Sequence, residues 1–184
     1  MRPAREALDL VTGFTAAPEE EKSRELILAL LDQTAEPFSR RQFHSGHITC
    51  TALVFDPERR RLLLVFHHRL QRWLLPGGHV EEDDLLLADT ARREAVEETS
   101  VRISPNGASR LAGMDVHGIP ANKRKKEPFH LHHDLIFAFS AESEAIERSE
   151  EAPEVMWCAM DELARYHAPT SIVRAAMRAT GTQP

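Results

Sequence analysis

The 184-residue sequence has few cysteines and no long hydrophobic run. Its two cysteines, Cys50 and Cys158, are too few for a disulfide framework, and neither has a neighbouring thiol at metal-ligand spacing. The apolar runs at 26–31 and 62–66 are far shorter than the roughly 20 residues that span a membrane. The opening segment MRPAREALDL lacks the apolar core of a secretory signal. We therefore expect a cytoplasmic protein without a membrane segment.

The charge balance limits the partners that the protein can bind. Asp and Glu number 29 against 23 Lys and Arg, which gives a net charge of −6. This balance disfavours broad electrostatic attachment to nucleic acid. An acidic protein that handles anionic phosphates requires metal ions or a local basic patch. The length suits one domain with a single core, and no internal repeat or low-complexity segment is present.

The hydrophobic pattern predicts a mixed α/β domain that follows a helical extension. Residues 18–33 begin with proline and then become apolar, which is typical of a helix with Pro in its first turn. An acidic helix is expected at about 85–99. Strands are expected at 47–55, 61–68, 101–104, 110–117, 129–140 and 155–158, and further helices at 161–166 and 170–179. The segment 73–80 leads into the glycine turn. Strands with helices at intervals favour a layered α/β sandwich over an all-β barrel.

The most informative segment is GGHVEEDDLLLADTARREAVEETSV, which runs from Gly77 to Val101. Glu94, Glu97 and Glu98 have i,i+3 and i,i+4 spacing, so a helix places these like charges side by side. A hard divalent cation such as Mg²⁺ or Mn²⁺ prefers carboxylate oxygens and would offset their repulsion. The alternative is a solvated acidic face, which is common on surface helices.

The residues before this helix favour the metal-binding interpretation. Residues 74–78 leave an apolar stretch through a Pro-Gly-Gly turn, where glycine permits a close approach of bare backbone to the metals. Asp83 or Asp84 is expected to cap the N-terminus of a helix that begins near Leu85. Turn, cap and carboxylate face would then form one unit.

This segment resembles the signature of the Nudix hydrolase superfamily, G-x5-E-x7-R-E-U-x-E-E-x-G-U, where U is a bulky aliphatic residue. The REAVEE element at 93–98 is intact. Counted from Gly78, the departures are Asp84 in place of Glu, eight residues rather than seven before Arg93, Ala95 in place of the aliphatic residue and Ser100 in place of glycine. The extra residue can be absorbed in the loop, or Asp83 and Asp84 can share the orientation of Arg93. A left-handed conformation at Ser100 would cost about 1–2 kcal/mol.

The resemblance implies an α/β/α sandwich with a mixed sheet and a divalent-metal-dependent hydrolase. The implied reaction is attack of water on the pyrophosphate of a nucleoside-diphosphate-linked small molecule, assisted by Mg²⁺ or Mn²⁺. It also implies a catalytic domain at 44–184 after an N-terminal helical extension at 1–43. The extension could cover the sheet, contribute to a homodimer or shape the substrate pocket.

Residue roles follow from the same resemblance. Carried over by position, the metal ligands are Glu94, Glu97, Glu98 and the Gly78 carbonyl, and the catalytic residues are Arg93, Glu94, Glu97 and Glu98. Arg93 would hold a glutamate in place. The general base stays open between Glu94 or Glu97 on the helix and Glu127, Glu151 or Glu154 in distant loops.

A second polar cluster lies in the segment PFHLHHD at 128–134. In a strand, His130, His132 and Asp134 share one face, and His117 can approach from another strand. These residues would suit a transition metal, but we favour pocket lining without metal because no ligand spacing here is diagnostic. His79, in the glycine turn, either contacts substrate phosphate or caps the turn. The predicted substrate-binding residues are His79, His117, His130, His132 and Asp134.

Other features leave alternatives open. The GH-x-T element at 46–49, the GGH-x-E turn and the HxHxD strand resemble a subset of Nudix proteins, but that resemblance supplies no substrate. The basic run 123–126 is either a solvated loop tip or a closure over an anionic substrate. A nucleotide-binding regulatory module without turnover is one alternative function, against which the intact REAVEE argues. A transition-metal enzyme that uses the histidines is another.

Overall fold

The computed structural model describes residues 2–105, 109–150 and 152–181. In chain order, the elements are α1 (Arg2–Gly13), α2 (Glu21–Gln33), β1 (His47–Phe55), β2 (Arg61–His67), β3 (Arg72–Leu74), β4 (Gly77–His79), α3 (Leu87–Thr99), β5 (Arg110–Ile119), β6 (His130–Ser140), β7 (Val155–Ala159), a 3-10 turn (Met160–Glu162) and α4 (Thr170–Thr180). Within these ranges, seven strands form a sheet with the order β3-β2-β1-β6-β5, while β4 pairs with β1 and β7 with β2.

The sheet is mixed, as predicted, and helices cover both of its faces. β1 pairs in parallel with β6 and antiparallel with β2 and β4. Ile48 and Cys50 of β1 belong to the core beneath α1, α2 and α3. Leu53 and Phe55 belong to the core on the other face, beneath α4. Because side chains alternate along a strand, this division confirms the α/β/α sandwich.

Five predicted strands, those now labelled β1, β2, β5, β6 and β7, are confirmed to within two residues at each end. The segment 73–80, which leads into the glycine turn, contributes to two short strands: β3 pairs with β2, and β4 pairs with β1. Pro76 lies between them and has no N–H for a ladder, so the chain passes from one neighbour to the next there. Its carbonyl still accepts a hydrogen bond from the Ala52 N–H (2.9 Å).

Two short elements were predicted incorrectly. The strand expected at 101–104 is only a bridge between Ile103 and Ala141, because the buried side chains of Val101 and Ile103 anchor this segment without a ladder. The helix expected at 161–166 is a 3-10 turn at Met160–Glu162, followed by further turns. Short segments of this kind carry too few residues for their periodicity to identify them.

The N-terminal extension covers the sheet, which is one of the three roles that the sequence left open. Side chains of α1 and α2, including Val11 and Ile27, are fully buried in the core that β1 and α3 share. Glu20, just before α2, has a buried carboxylate that pairs with Arg178 of α4 (Nη1–Oε1 3.0 Å). Arg178 also donates to the carbonyl of Ala112 in β5 (2.6 Å). The extension is therefore tied to the last helix beside an edge strand.

None of the helices in the described ranges is long and apolar enough to cross a membrane. Cys50 and Cys158 are both free and buried. They belong to the cores on opposite faces of the sheet, which separates their thiols.

Candidate active site

The glycine turn and the acidic helix meet at Gly78 and Glu94. β4 lies beside β1 with Gly78 opposite Cys50, so Gly78 lies on the α3 face of the sheet. A Cβ built on Gly78 would lie 2.4 Å from Oε1 of Glu94, far inside van der Waals contact. The absence of a side chain at Gly78 is therefore what lets the Glu94 carboxylate lie against the backbone of β4.

Arg93 connects this helix to the preceding loop. Its Nε and Nη2 donate to the two oxygens of Asp84 (3.1 and 3.0 Å), and Nη2 also donates to the His79 carbonyl (2.9 Å). Such a two-pronged pairing fixes the plane of the guanidinium as well as its position. The structure thus shows that Asp84 orients Arg93. The eight residues between Asp84 and Arg93 comprise the end of the loop and the start of α3.

Asp84 is itself held by further donors. The Thr90 hydroxyl and the Glu81 N–H donate to its Oδ2 (2.8 and 2.9 Å). Burial alone would raise the pKa of Asp84, but the hydrogen bonds from Arg93, Glu81 and Thr90 outweigh burial and lower this pKa. Asp84 therefore stays ionised and holds Arg93 through a charge-assisted pair.

The other side of the Arg93 guanidinium faces the helix carboxylates. Nη1 donates to Glu94 Oε1 (3.0 Å) and to Glu97 Oε2 (3.1 Å). Hydrogen bonding to Asp84, and then to Glu94, raises the pKa of Arg93. In the described ranges, the ligand atoms of Glu94, Glu97 and Glu98 do not all lie within 4.8 Å of one another. Like charges separate, and Arg93 offsets the charge of two of the three.

The prediction that Asp83 or Asp84 caps α3 is wrong. The N–H of Leu86 instead donates to Asp89 Oδ2 (3.1 Å), and the next N–H donates to the carboxylate of Glu6 in α1 (3.2 Å to Oε1). Asp84 cannot serve as the cap because its oxygens are engaged by Arg93 and Thr90. The N-terminal extension therefore supplies one of the acceptors that the helix start requires.

The C-terminal end of α3 has the left-handed conformation that was considered for Ser100. Ser100 adopts the left-handed conformation (φ 53°, ψ 16°), and its N–H donates to the Val96 carbonyl (2.8 Å). The small side chains of Ala91 and Ala95 are fully buried against the core of the sheet. These contacts fix the helix that carries the three glutamates.

Five histidines gather on the opposite face of the sheet, and we call them the imidazole cluster: His47, His79, His117, His130 and His132. The register places His47 opposite His132 and His132 opposite His117. Ring centroids are separated by 4.8 Å (His47–His132), 5.0 Å (His47–His79), 5.2 Å (His47–His130), 5.2 Å (His130–His132), 5.3 Å (His79–His132) and 5.8 Å (His117–His132).

His47 was not among the predicted site residues. It belongs to the GH-x-T element. In a strand, His47 and Thr49 share one face, and this pattern was the available signal that His47 faces other polar residues. The parallel pairing of β1 with β6 brings it to His132, and no local pattern encodes that pairing. The other four histidines of the cluster were predicted as site residues, and the structure brings them together.

Most of the cluster carries little positive charge. Burial, followed by the nearby charges of other groups, lowers the pKa of His79 to about 3 and that of His132 to about 2. Burial also lowers the pKa of His47. For His117, burial opposes the charge, but the hydrogen bond with Asp115 (3.1 Å) and the charge of Asp134 raise its pKa.

Asp134 lies on the same face of the sheet as the imidazole cluster, and it is buried, with only 7% of the residue exposed. It accepts hydrogen bonds from the hydroxyls of Thr49 (3.0 Å to Oδ1) and Thr51 (2.6 Å to Oδ2). Burial raises the pKa of Asp134, although the charge of His117 and the two hydroxyls favour its ionised form. Its direct contacts are therefore to β1.

The remote base candidates lie in different places. Glu127 pairs with Arg69 (3.7 Å) at the end of the turn formed by the basic run 123–126. Glu154 lies 3.6 Å from Nε2 of His68. Glu151 is outside the described residues.

Comparison with known proteins supports the resemblance to Nudix hydrolases. The model of the NUDIX domain family matches residues 46–177. A NUDIX-family hydrolase from Clostridium perfringens is similar in fold, with 20% identity, 72% of this chain and 95% of that chain covered, and a TM-score of 0.53. No curated protein matches the sequence.

Two further solved structures are also similar. A C. elegans Ap4A hydrolase binary complex shares 13% identity over 73% of this chain and 95% of that chain, with a TM-score of 0.52. The NUDIX domain of Shewanella oneidensis NrtR, complexed with ADP ribose, shares 18% identity over 84% of this chain and 96% of that chain, with a TM-score of 0.53. At these identities the likeness concerns the fold.

Proposed function

This chain belongs to the Nudix family and is a pyrophosphohydrolase, and we propose that it hydrolyses a nucleoside-diphosphate-linked small molecule with the help of Mg²⁺ or Mn²⁺. The observation that carries the proposal is the contact between Gly78 and Glu94, held by Arg93 and Asp84. This arrangement joins the glycine turn to the acidic helix and places the two proposed sources of metal ligands side by side.

The donor set suits a hard divalent cation. Glu94, Glu97 and Glu98 offer carboxylate oxygens, and Gly78 offers a backbone carbonyl without a side chain above it. We assign the metal ligands to these four residues. When bound, Mg²⁺ or Mn²⁺ would neutralise phosphate oxygens and favour deprotonation of the attacking water.

The protein's own residues position these ligands. Arg93 holds Glu94 and Glu97 through one nitrogen, while Asp84 holds Arg93 through two bonds. We therefore assign catalytic roles to Arg93, Glu94, Glu97 and Glu98. The general base stays a prediction among the helix glutamates and the remote Glu127 and Glu154.

The imidazole cluster is proposed as the wall that contacts the substrate. β4 links the carboxylate helix to the imidazole cluster. The His79 carbonyl accepts a hydrogen bond from Arg93, while the His79 ring belongs to the cluster. Neutral imidazoles can both donate and accept, which suits sugar hydroxyls and base edges. We assign substrate contact to His79, His117, His130 and His132. Asp134 was predicted to share this role, but it is buried and its oxygens accept hydrogen bonds from Thr49 and Thr51, so we propose that it supports this wall from β6. ADP ribose in the Shewanella oneidensis complex and the Ap4A hydrolase suggest a nucleotide-like substrate of this class.

The test is phosphate release from a panel of nucleotide sugars, ADP-ribose and dinucleoside polyphosphates, with and without Mg²⁺. We expect Mg²⁺-dependent turnover that Glu97→Gln or Glu98→Gln greatly reduces while the fold is kept. Glu82→Gln, an exposed acid in the preceding loop, is the matched control and should retain activity. Unchanged rates in both helix variants would reject the assignment. Nucleotide binding without turnover of any substrate would favour the regulatory-module alternative.

Three further expectations stay predictions. The division into an extension at 1–43 and a catalytic domain at 44–184 rests on the sequence resemblance. Cytoplasmic location rests on the small number of cysteines, and homodimer formation rests on the presence of the extension. Gel filtration combined with light scattering would test the last of these.

A further inference from the structure

The tautomers of two buried histidines leave a nitrogen lone pair directed away from the backbone. Nδ1 of His130 lies 2.9 Å from the Pro128 carbonyl, and Nδ1 of His47 lies 3.3 Å from the Gln42 carbonyl. A carbonyl only accepts, so Nδ1 carries the hydrogen in each ring and Nε2 carries the lone pair. Metal-binding histidines almost always donate the hydrogen of the far nitrogen to a carboxylate, a backbone carbonyl or water, and a backbone carbonyl fills that role in both rings here.

His47, His130 and His132 also converge. One ring nitrogen from each lies within 4.8 Å of the other two, and no other trio of His, Cys, Asp or Glu in the described ranges meets this criterion. Three nitrogens around tetrahedral Zn²⁺, at about 2.0–2.1 Å each, lie about 3.4 Å apart. Ring rotations that move the nitrogens by about 1 Å would therefore close the site.

We propose that His47, His130 and His132 form a binding site for a divalent transition metal of the zinc class. Imidazole nitrogen suits such ions, whereas Mg²⁺ prefers oxygen, so this site differs in chemistry from the helix glutamates. The two groups also lie on opposite faces of the sheet. The proposal concerns binding and does not depend on the hydrolase activity.

His79 completes the surroundings of the trio. Arg40 Nη2 lies 3.2 Å from His79 Nδ1, and an arginine only donates, so Nε2 of His79 carries the hydrogen. That nitrogen lies 3.0 Å from Nε2 of His47 and donates to it. A metal ion at the trio takes the place of this hydrogen at His47. His132 is the most exposed member of the trio, so the ion reaches the site from its side.

Negative charge near the trio offsets part of the charge of the ion. Asp134 is two residues from His132 on the same face and is buried. Asp115 lies opposite Asp134 on β5 and bonds His117. A dication held by three neutral ligands is costly to bury unless such carboxylates lie nearby.

Calorimetric titration of Zn²⁺ into the chelator-treated full-length protein, in excess Mg²⁺, tests the proposal. We expect one tightly bound zinc, and His132→Gln should weaken its binding by about tenfold or more. His68→Gln, an exposed histidine outside the cluster, is the matched control and should bind zinc like the wild type. Equal zinc affinity in His132→Gln and wild type would overturn the proposal. Retention of zinc by a Glu97→Gln/Glu98→Gln double variant supports it and separates this site from the carboxylate site.

Because His47 and His130 are buried, their substitution risks unfolding, so a second measurement uses the wild type alone. Absorption of the Co²⁺-loaded protein should show the intense visible bands of four-coordinate cobalt with nitrogen ligands. Weak bands typical of six-coordinate cobalt would contradict the site. These bands should decrease when Zn²⁺ is added and persist when Mg²⁺ is added.

Discussion

Gly78 lies so close to the carboxylate of Glu94 that a Cβ at this glycine would be 2.4 Å from one oxygen and 2.6 Å from the other. The atoms in conflict are the far end of a flexible side chain, so the carboxylate can move away while the strand stays in place. A larger residue at 78 should therefore displace a catalytic group without unfolding the domain.

The first prediction concerns Gly78→Ala. We expect kcat to fall by about tenfold to a hundredfold, because the Glu94 carboxylate must leave its place beside β4 and Arg93. The melting temperature should change little. Steady-state kinetics with Mg²⁺ and a thermal melt measure the two effects.

Gly13→Ala is the control for this substitution. Gly13 ends α1, and a Cβ there would meet nothing within 4 Å. The control should keep both activity and melting temperature. If Gly78→Ala were as active as Gly13→Ala, Glu94 would not need its position against the glycine turn.

The second prediction concerns the pair of Asp84 and Arg93. Asp84→Ala removes two hydrogen bonds from a guanidinium and leaves Arg93 free to reorient among the glutamates. Loss of bonds to a charged group typically costs about 1.5–3 kcal/mol. We expect a loss of this size in the free energy of unfolding, measured by urea denaturation, together with lower kcat.

Asp83→Ala provides the matched comparison, since Asp83 is the exposed neighbour of Asp84 in the same loop. It should leave the urea midpoint and kcat unchanged. Equal effects of the two substitutions would mean that loop charge, rather than the bond to Arg93, is what matters. Asp84→Glu should keep more activity than Asp84→Ala, because it retains the carboxylate.

The third prediction concerns the ion pair of the buried Glu20 with the partly exposed Arg178, which joins the extension to α4. Arg178 is 29% exposed, so water solvates part of the charge that remains, and the loss of hydrogen bonds to a charged group typically costs about 1.5–3 kcal/mol. We expect Glu20→Gln to lower the free energy of unfolding by about this amount. Glu25→Gln, which breaks an exposed pair with Lys22 on α2, should have little effect. A small effect of Glu20→Gln would show that this ion pair contributes little to holding the extension in place.

The local part of the candidate site could be predicted from the sequence because its residues are neighbours in the chain. Glu94, Glu97 and Glu98 owe their proximity to helical spacing, and Arg93 reaches Glu97 one turn away. The glycine turn could be predicted for the same reason. The helix cap was not, because one of its acceptors is Glu6, 81 residues earlier in the chain.

The contacts of the candidate site between residues far apart in the chain could not be predicted without knowing how the strands pair. Thr49 and Asp134 are 85 residues apart, and only the parallel register of β1 with β6 brings them together. The same register brings His47 to His132. Alternation along β6 predicted which of its residues share a face, but alternation carries no information about the partner strand. Pro76 likewise divides β3 from β4 because each strand pairs with a different neighbour.

The fourth prediction concerns pH, and it follows from the imidazole cluster. His47, His79 and His132 have pKa values lowered by burial, so in the folded protein they stay neutral below pH 6.5, where the unfolded chain takes up protons. The unfolded state then binds more protons, and stability falls as pH falls below about 6.5. His117 acts in the opposite sense, because its pKa is raised: its contribution is present below about pH 6.5 and is lost as pH rises through its folded pKa.

Burial also lowers the pKa of His67 and of His133, which act in the same sense. With five lowered histidines against one raised histidine, we expect the melting temperature to decrease steadily between pH 6.5 and pH 4.5. Melts are recorded with EDTA present, so that no metal holds the histidines neutral. His132→Gln removes the group with the lowest pKa of the three in the cluster and should flatten this dependence. Because the slope measures proton uptake on unfolding, parallel slopes in wild type and His132→Gln would show that His132 titrates alike in both states, and the cluster would then be solvated rather than buried.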